Sequence, residues 1–236
     1  MSTLLITSSV KVIAPQTAVN DDRERLEQYI AAIRKWIINT RISRIVVCDN
    51  SGFIYDRTSF EELGAAHGTE VEFLSFLGDQ QKIKMQGKGY GEGEIIRYAL
   101  ENSQLLQQST GFFKVTGRVF ITNYNRLSRF VKADQAYFNL GINASQGNYI
   151  DTRFYYCPVT FYKQYLLTAF EQVDDLGGYV LENAFHTALK AAVYRRFFLA
   201  PDFEGVSGST GKNYRERRPV FYVRAIINSI YQLLGK

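Results

Sequence analysis

Cysteine, histidine and long apolar runs are what this sequence is short of. Two cysteines and two histidines occur in 236 residues, too few ligands for a structural zinc site. Cys48 and Cys157 each sit inside an apolar, strand-like run, which reads as two buried free thiols in a reducing compartment. No stretch approaches the roughly 20 apolar residues that span a bilayer. The N-terminus has no basic segment followed by an apolar core and a small-residue cleavage site. The expectation is a cytoplasmic protein. Internal repeats, low-complexity tracts and a linker are also missing, so the chain reads as one domain, long enough for a substantial core.

What is present is aromatic and mildly basic. Sixteen tyrosines and seventeen phenylalanines fit either amphipathic, sugar-stacking surfaces or dense core packing. The net charge of +5 is unevenly placed: Lys212, Arg215, Arg217, Arg218 and Arg224 face a single acid, Glu216, near the C-terminus. Such an end favours anionic partners, whether phospholipid, nucleic acid or pyrophosphate-linked substrates. The remaining cations are dispersed rather than gathered in a stripe, which ranks nucleic acid last.

Along the chain, Leu4 to Val10 is an apolar run ending in hydroxyls, a buried first strand. Asp22 to Asn39 carries Leu26, Tyr29, Ile30, Ile33, Trp36 and Ile37 at helical spacing, with Asp21 or Asp22 able to cap it. Arg44 to Gly52 is a near-continuous apolar strand that stops in a polar turn, as a strand of a parallel sheet buried on both faces would be. Val71 to Phe76 reads as a third strand. Four glycines in Gly87-Lys88-Gly89-Tyr90-Gly91-Glu92-Gly93 read as a turn, with a helix behind it whose free N–H groups suit phosphate. Phe112 to Ile121 reads as a fourth strand. The order β-α-β-(α)-β-α-β predicts an α/β domain with a mostly parallel central sheet flanked by helices. Ligands of such sheets bind beyond the carboxyl ends of the strands. Thr7-Ser8-Ser9, Asp49-Asn50-Ser51 and Thr116-Gly117-Arg118 all fall there.

The second half is less regular. Ala136–Leu140 and Thr152–Cys157 read as strands, Pro158 opens a helix, and a longer helix is expected from about Gly177 to Tyr194. Residues 202–211 have loop chemistry, and Val220 to Leu234 is an amphipathic helix candidate.

This layout resembles nucleotide-sugar glycosyltransferases of the GT-A fold, in particular bacterial enzymes that build capsule and lipopolysaccharide O-antigen chains. The residues that carry the resemblance are Thr7-Ser8-Ser9, Cys48-Asp49-Asn50-Ser51, the glycine stretch 87–93 with its helix, and Phe113-Lys114-Val115-Thr116-Gly117-Arg118. It covers 1–125 as an order of elements, which it implies is the nucleotide-sugar-binding half, and leaves 126–236 as an acceptor-side half. It implies donor contacts from Thr7, Ser8, Ser9, Asp49, Asn50 and Ser51. Lys88, Gly89, Gly91, Glu92, Lys114, Thr116, Gly117 and Arg118 would complete them. The implied reaction is transfer of a hexose, galactose included, from a UDP-sugar to a growing cell-surface polysaccharide or lipid-linked acceptor. Peripheral contact of the basic C-terminal stretch with the cytoplasmic face of the inner membrane fits such an acceptor; a closing helix with a solvated cationic side fits the residues equally.

The sequence departs from the family at one place. Most GT-A enzymes end the fourth strand on Asp-x-Asp, which holds Mn²⁺ or Mg²⁺ against the diphosphate; Thr116-Gly117-Arg118 stands there instead. An arginine fork can hold phosphate without a metal, so no cofactor is required, while Asp151 and the Asp174-Asp175 pair keep Mn²⁺ or Mg²⁺ open. Glycosyl transfer needs a carboxylate near the acceptor hydroxyl, for which Asp151, Asp175 and Glu182 are candidates, with His186 one helical turn beyond Glu182. Plainer roles compete: an Asx-turn for Asp49, a solvated cation for Lys88, a cap on the following helix for Asp174-Asp175, a surface position for Glu182. A nucleotidyltransferase is the rival enzyme class, but Thr7-Ser8-Ser9-Val10-Lys11 makes a poor basic loop for it.

Overall fold

The structure, a computed structural model, describes residues 2–11, 14, 21–143, 147–207, 211, 213 and 214. The strands are β1 (Ser2–Ser8), β2 (Arg44–Asp49), β3 (Glu70–Ser75), β4 (Gly111–Thr116), β5 (Val119–Ile121), β6 (Tyr137–Asn143), β7 (Gly147–Pro158), β8 (Arg195–Arg196) and β9 (Phe203–Gly205). The helices are α1 (Asp22–Asn39), α2 (Arg57–His67), α3 (Gln80–Gln86), α4 (Lys88–Asn102), α5 (Gln104–Gln107), α6 (Tyr124–Leu127), α7 (Val159–Tyr165) and α8 (Leu181–Ala188).

Seven strands form one sheet in the order β3-β2-β1-β4-β7-β6-β8. The first four are mutually parallel, with Thr7 opposite both Cys48 and Thr116. β7 runs antiparallel to β4 and β6 antiparallel to β7, while β8 lies parallel to β6. The expected mostly parallel sheet flanked by helices is therefore present. Alternation along β4 divides the core. Phe112 joins a cluster with Ile95, Ile96 and Phe185 under α4 and α8, and Phe113 and Val115 join Ile33, Trp36 and Tyr124 under α1 and α6. Cys48 and Cys157 are buried free thiols. Tyr155, Tyr156 and Tyr162 are buried core residues, which removes them from a sugar-stacking surface. Among the described residues no helix is long and apolar enough to cross a membrane.

The bounds of α1 are those expected, β2 starts where expected and ends at Asp49 within the expected stretch, and Asp21 caps α1 through the Glu24 amide at 2.7 Å. Four expectations change. The strand expected over 112–121 is two strands, with β5 turned off the main sheet to pair antiparallel with β9. Part of the 202–211 loop is thereby a strand. The long helix expected over 177–194 is confined to α8, because a turn with Gly178 at φ 84° precedes it. The stretch 220–234 lies outside the described residues.

The largest change is at the glycines. Residues 88–93 are not a turn; they are the first turns of α4, and Gly89, Gly91 and Gly93 are buried. Glycine is there for approach rather than flexibility. A Cβ on Gly93 would run into Cβ and Cγ of Phe170, whose ring packs edge-on against Tyr90 at 5.1 Å. The near end of a buried phenylalanine cannot swing aside. Gly→Ala in a helix ordinarily gains about 1 kcal/mol, whereas overpacking costs about 1–3 kcal/mol. Gly93→Ala is expected to lower stability in urea unfolding, the reverse of the propensity effect; a rise in midpoint would refute this account of the glycine.

Candidate functional site

The chain runs from β1 outward to β2 and β3, then returns to the far side of β1 as β4. Between β1 and β4 the connections diverge, and a cleft opens at such a switch point. Here it has a volume of about 410 Å³, within the range of small-molecule sites. Thr7, Ser8 and Ser9 reach it from the end of β1, Asn50 from β2, and Thr116 and Arg118 from β4 and the turn after it. Lys88, Gly89, Gly91 and Glu92 come from α4, Asp175 from the turn before α8, and Glu182 from α8. Twelve residues singled out from the sequence thus converge on one cleft.

Others do not reach it. Asp49 is buried, and its carboxylate is fully engaged. It accepts from Ser8 Oγ (2.9 Å) and Val10 N (3.0 Å) through Oδ2, and from Ser51 N (2.8 Å), Ser51 Oγ (2.6 Å) and Phe53 N (3.3 Å) through Oδ1. The Asx-turn is its role, with Ser51 part of it, and it ties the ends of β1 and β2 together. Gly117 lies beneath the cleft, where a Cβ would collide with the Thr7 carbonyl and the Tyr29 ring. Only glycine lets this turn press against β1.

Lys114 is 0 % exposed. It shares the α4 face of β4 with Phe112, so its ammonium lies under the floor, not in the cleft as a phosphate contact would. It pairs with Glu92 and donates to the Thr152 carbonyl at 2.8 Å and Thr116 Oγ1 at 3.1 Å. Burial pushes it down to about 7, against the pull of Glu182 and Asp151.

The carboxylate candidates separate. Asp151 is buried away from the cleft, gripped by Arg153 through Nε (2.8 Å) and Nη2 (2.6 Å) and by Asn139 Nδ2 (2.9 Å). Burial would raise its carboxyl, but Arg153 overrides that and holds it below the ordinary range. It is an anchor for Arg153, whose guanidinium lies 4.2 Å from the Phe203 ring and 4.7 Å from that of Tyr214 at the cleft wall. A proton acceptor needs a free lone pair at the cleft, so Asp151 is not one. His186 is exposed and outside the cleft, and among the described residues no ion pair joins it to Glu182. Asp174 Oδ1 accepts from Gly177 N at 2.8 Å in the turn before α8.

Asp175 does cap a helix, but not the following one. Its Oδ2 accepts from Gly89 N at 3.0 Å, and its own amide donates to Gln86 O at 2.9 Å. The start of α4, expected to offer amides to phosphate, thus already holds a carboxylate. Burial raises the Asp175 carboxyl, with the Gly89 amide and Lys88 working against it. Glu182 remains. It is half-buried at the cleft wall, and Oε1 accepts from Thr152 Oγ1 at 2.7 Å.

Sequence reasoning passed over Arg25, Tyr29, Thr152, Arg153 and Tyr214, all of which line the cleft. Arg25 donates through Nε to the Ser9 (3.1 Å) and Val10 (3.2 Å) carbonyls. Tyr29 accepts from Ser9 N at 3.1 Å. A signal existed: Arg25 stands one turn before Tyr29 and two before Ile33 on the buried face of α1, and a charge on an apolar stripe needs a partner. Arg118 is 8 % exposed and donates through Nη1 to Gln28 Oε1 at 2.9 Å.

No family model and no curated protein sequence matches the chain. Solved structures do. The glycosyltransferase GlyE of Streptococcus pneumoniae TIGR4 superposes with a TM-score of 0.53 at 9% identity, over 84% of this chain and 46% of that one. The bifunctional glycosyltransferase WbbM gives 0.50 at 11% identity, over 96% of this chain and 44% of its own. The core-mannan synthase A of Aspergillus fumigatus, in a Mn/GDP form, gives 0.49 at 11% identity over 98% and 85%. The chain spans under half the length of the first two. What it has in common with them at these identities is architecture: a single-domain α/β fold of the GT-A glycosyltransferase type.

Proposed function

We propose that the protein is a nucleotide-sugar glycosyltransferase that moves a hexose from a UDP-sugar to a growing cell-surface polysaccharide of the O-antigen or capsule type. One observation carries the reading: strand-end hydroxyls, guanidinium groups and a half-buried carboxylate meet in a single cleft at the switch point of a GT-A-type sheet. Arg25 and Arg118 line the cleft on the α1 side, which suits them to the donor diphosphate under this reading. Glu182, Thr152 and Leu181 line it on the α8 side, which this reading gives to the acceptor. In the reaction the acceptor oxygen bonds the anomeric carbon, the bond from that carbon to the diphosphate breaks, and the hydroxyl proton passes to the Glu182 carboxylate. The nucleoside diphosphate leaves against the cations. The basic residues after 211 support an acceptor carried on an anionic, lipid-linked carrier.

The test is a melting series with UDP- and GDP-sugars. A ligand at a hundred times its Kd stabilises by about 2.7 kcal/mol, roughly 5–10 °C for a domain of this size. If no nucleotide diphosphate or its sugar shifts the midpoint at millimolar concentration, with or without Mn²⁺, the reading is lost.

A further inference from the structure

A GT-A fold implies a divalent cation at the end of the fourth strand, and the residues in this cleft do not fit one. β4 ends on Thr116, whose hydroxyl is in contact with Lys114, and the next residue, Gly117, sits where no side chain has room. The three carboxylates that reach the cleft come from separate elements: Glu92 is paired with Lys114, Asp175 caps the first amides of α4, and Glu182 accepts through one oxygen from Thr152. Among the described residues no group of three or more His, Cys, Asp or Glu side chains is placed to hold a metal ion. A hard cation needs several oxygen ligands converging at one point, and here they are spread over separate walls.

Positive charge does converge. The guanidinium groups of Arg25 and Arg118 both lie 5.8 Å from the centre of the Tyr29 ring. Arg118 is nearly buried, its hydrogen-bond partner is the neutral Gln28, and no carboxylate forms a salt bridge with it among the described residues. Burial works most strongly against its ionised form and the charge of Arg25 adds to that, while Tyr29, Tyr214 and Glu24 pull the other way without reversing it. Yet a guanidinium stays protonated in proteins, so the cost is carried as free energy that an arriving anion would relieve. A planar fork against an aromatic ring is suited to bidentate phosphate.

We propose that Arg118, with Arg25 beside it, binds the donor diphosphate directly, and that the site takes a nucleoside diphosphate without a divalent cation. This rests on the nucleotide-sugar reading and states how that site neutralises its ligand.

Calorimetric titration of the full chain with UDP and with GDP, in EDTA and in millimolar Mn²⁺, tests it without recourse to turnover. The expected result is a nucleotide whose Kd differs by less than about threefold between the two media. Arg118→Met is expected to weaken binding by roughly tenfold or more, the worth of a charged hydrogen bond, and Arg118→Lys to recover part of the loss. Pyrophosphate in EDTA should weaken in parallel, which places the loss at the phosphates rather than the base. Without ligand, Arg118→Met is expected to melt no lower than the parent, because a nearly buried charge has been removed. Binding that requires Mn²⁺, or an Arg118→Met protein that binds as tightly as the parent, overturns the inference and leaves the nucleotide-sugar reading standing. Absence of nucleotide binding in both media overturns both. The comparison of media uses the parent protein alone, so it decides the question even if the variant does not fold.

Discussion

Glu182→Gln is expected to cut kcat for the proposed sugar transfer by about 10²–10⁴-fold, the usual worth of a positioned general base, with donor affinity unchanged. The amide keeps the length and shape of the side chain, and its carbonyl can still accept from Thr152 Oγ1. What it loses is a lone pair able to take a proton at neutral pH. Because the proton moves only in the transition state, the loss should fall on kcat and on kcat/KM equally. A fall in KM alone, or full activity, would remove Glu182 from the chemistry and leave the cleft without its acceptor-side carboxylate. Thr152→Val, which removes the hydroxyl that orients Glu182, is expected to have a smaller effect of the same kind.

The largest effect on stability is expected at Lys114. Lys114→Ala removes a fully buried cation paired with Glu92 and hydrogen-bonded to the Thr152 carbonyl. It also removes the four-carbon stem that fills the space between β4 and α4. Breaking a buried pair from one side costs about 3–5 kcal/mol, and the lost stem adds a cavity. Glu92 retains 21% side-chain exposure and can turn toward water, so the expected loss is near the lower end, about 3 kcal/mol. Lys114→Met keeps the stem and should cost less. Guanidinium unfolding of the two variants decides it: an alanine variant within about 1 kcal/mol of the parent would mean that the pair contributes little.

What could be read from the sequence was whatever depends on neighbours in the chain. The bounds of α1 came from spacing and a capping aspartate, and β2 from a continuous apolar run. What could not be read depends on partners far away. The glycines of α4 look like a turn until Phe170 is placed against Gly93. Asp49 looks like a ligand group until donors from the ends of β1 and β2 fill both of its oxygens. Asp175 has a capping signature, but the amide it caps, that of Gly89, lies 86 residues earlier in the chain. Arg153 was legible in principle, since residues two apart on a strand share a face and Asp151 stands two before it. The fold was thus clearer than the site, because strand order is a local property repeated, whereas a cleft is made of distant meetings.

The cap on α4 has a consequence for how the chain can be divided. Asp175 closes the start of α4, Phe170 fills the groove along Gly93, and β7 covers the edge of β4 by pairing from Gly111 to Val115. All three come from beyond residue 125. A fragment ending there would expose helix amides, an aromatic-sized groove and a strand edge at once, each a site for unwanted association. A boundary at residue 125 therefore does not divide the described residues into two separable parts. The same turn that seals the helix also leads, seven residues later, into Glu182.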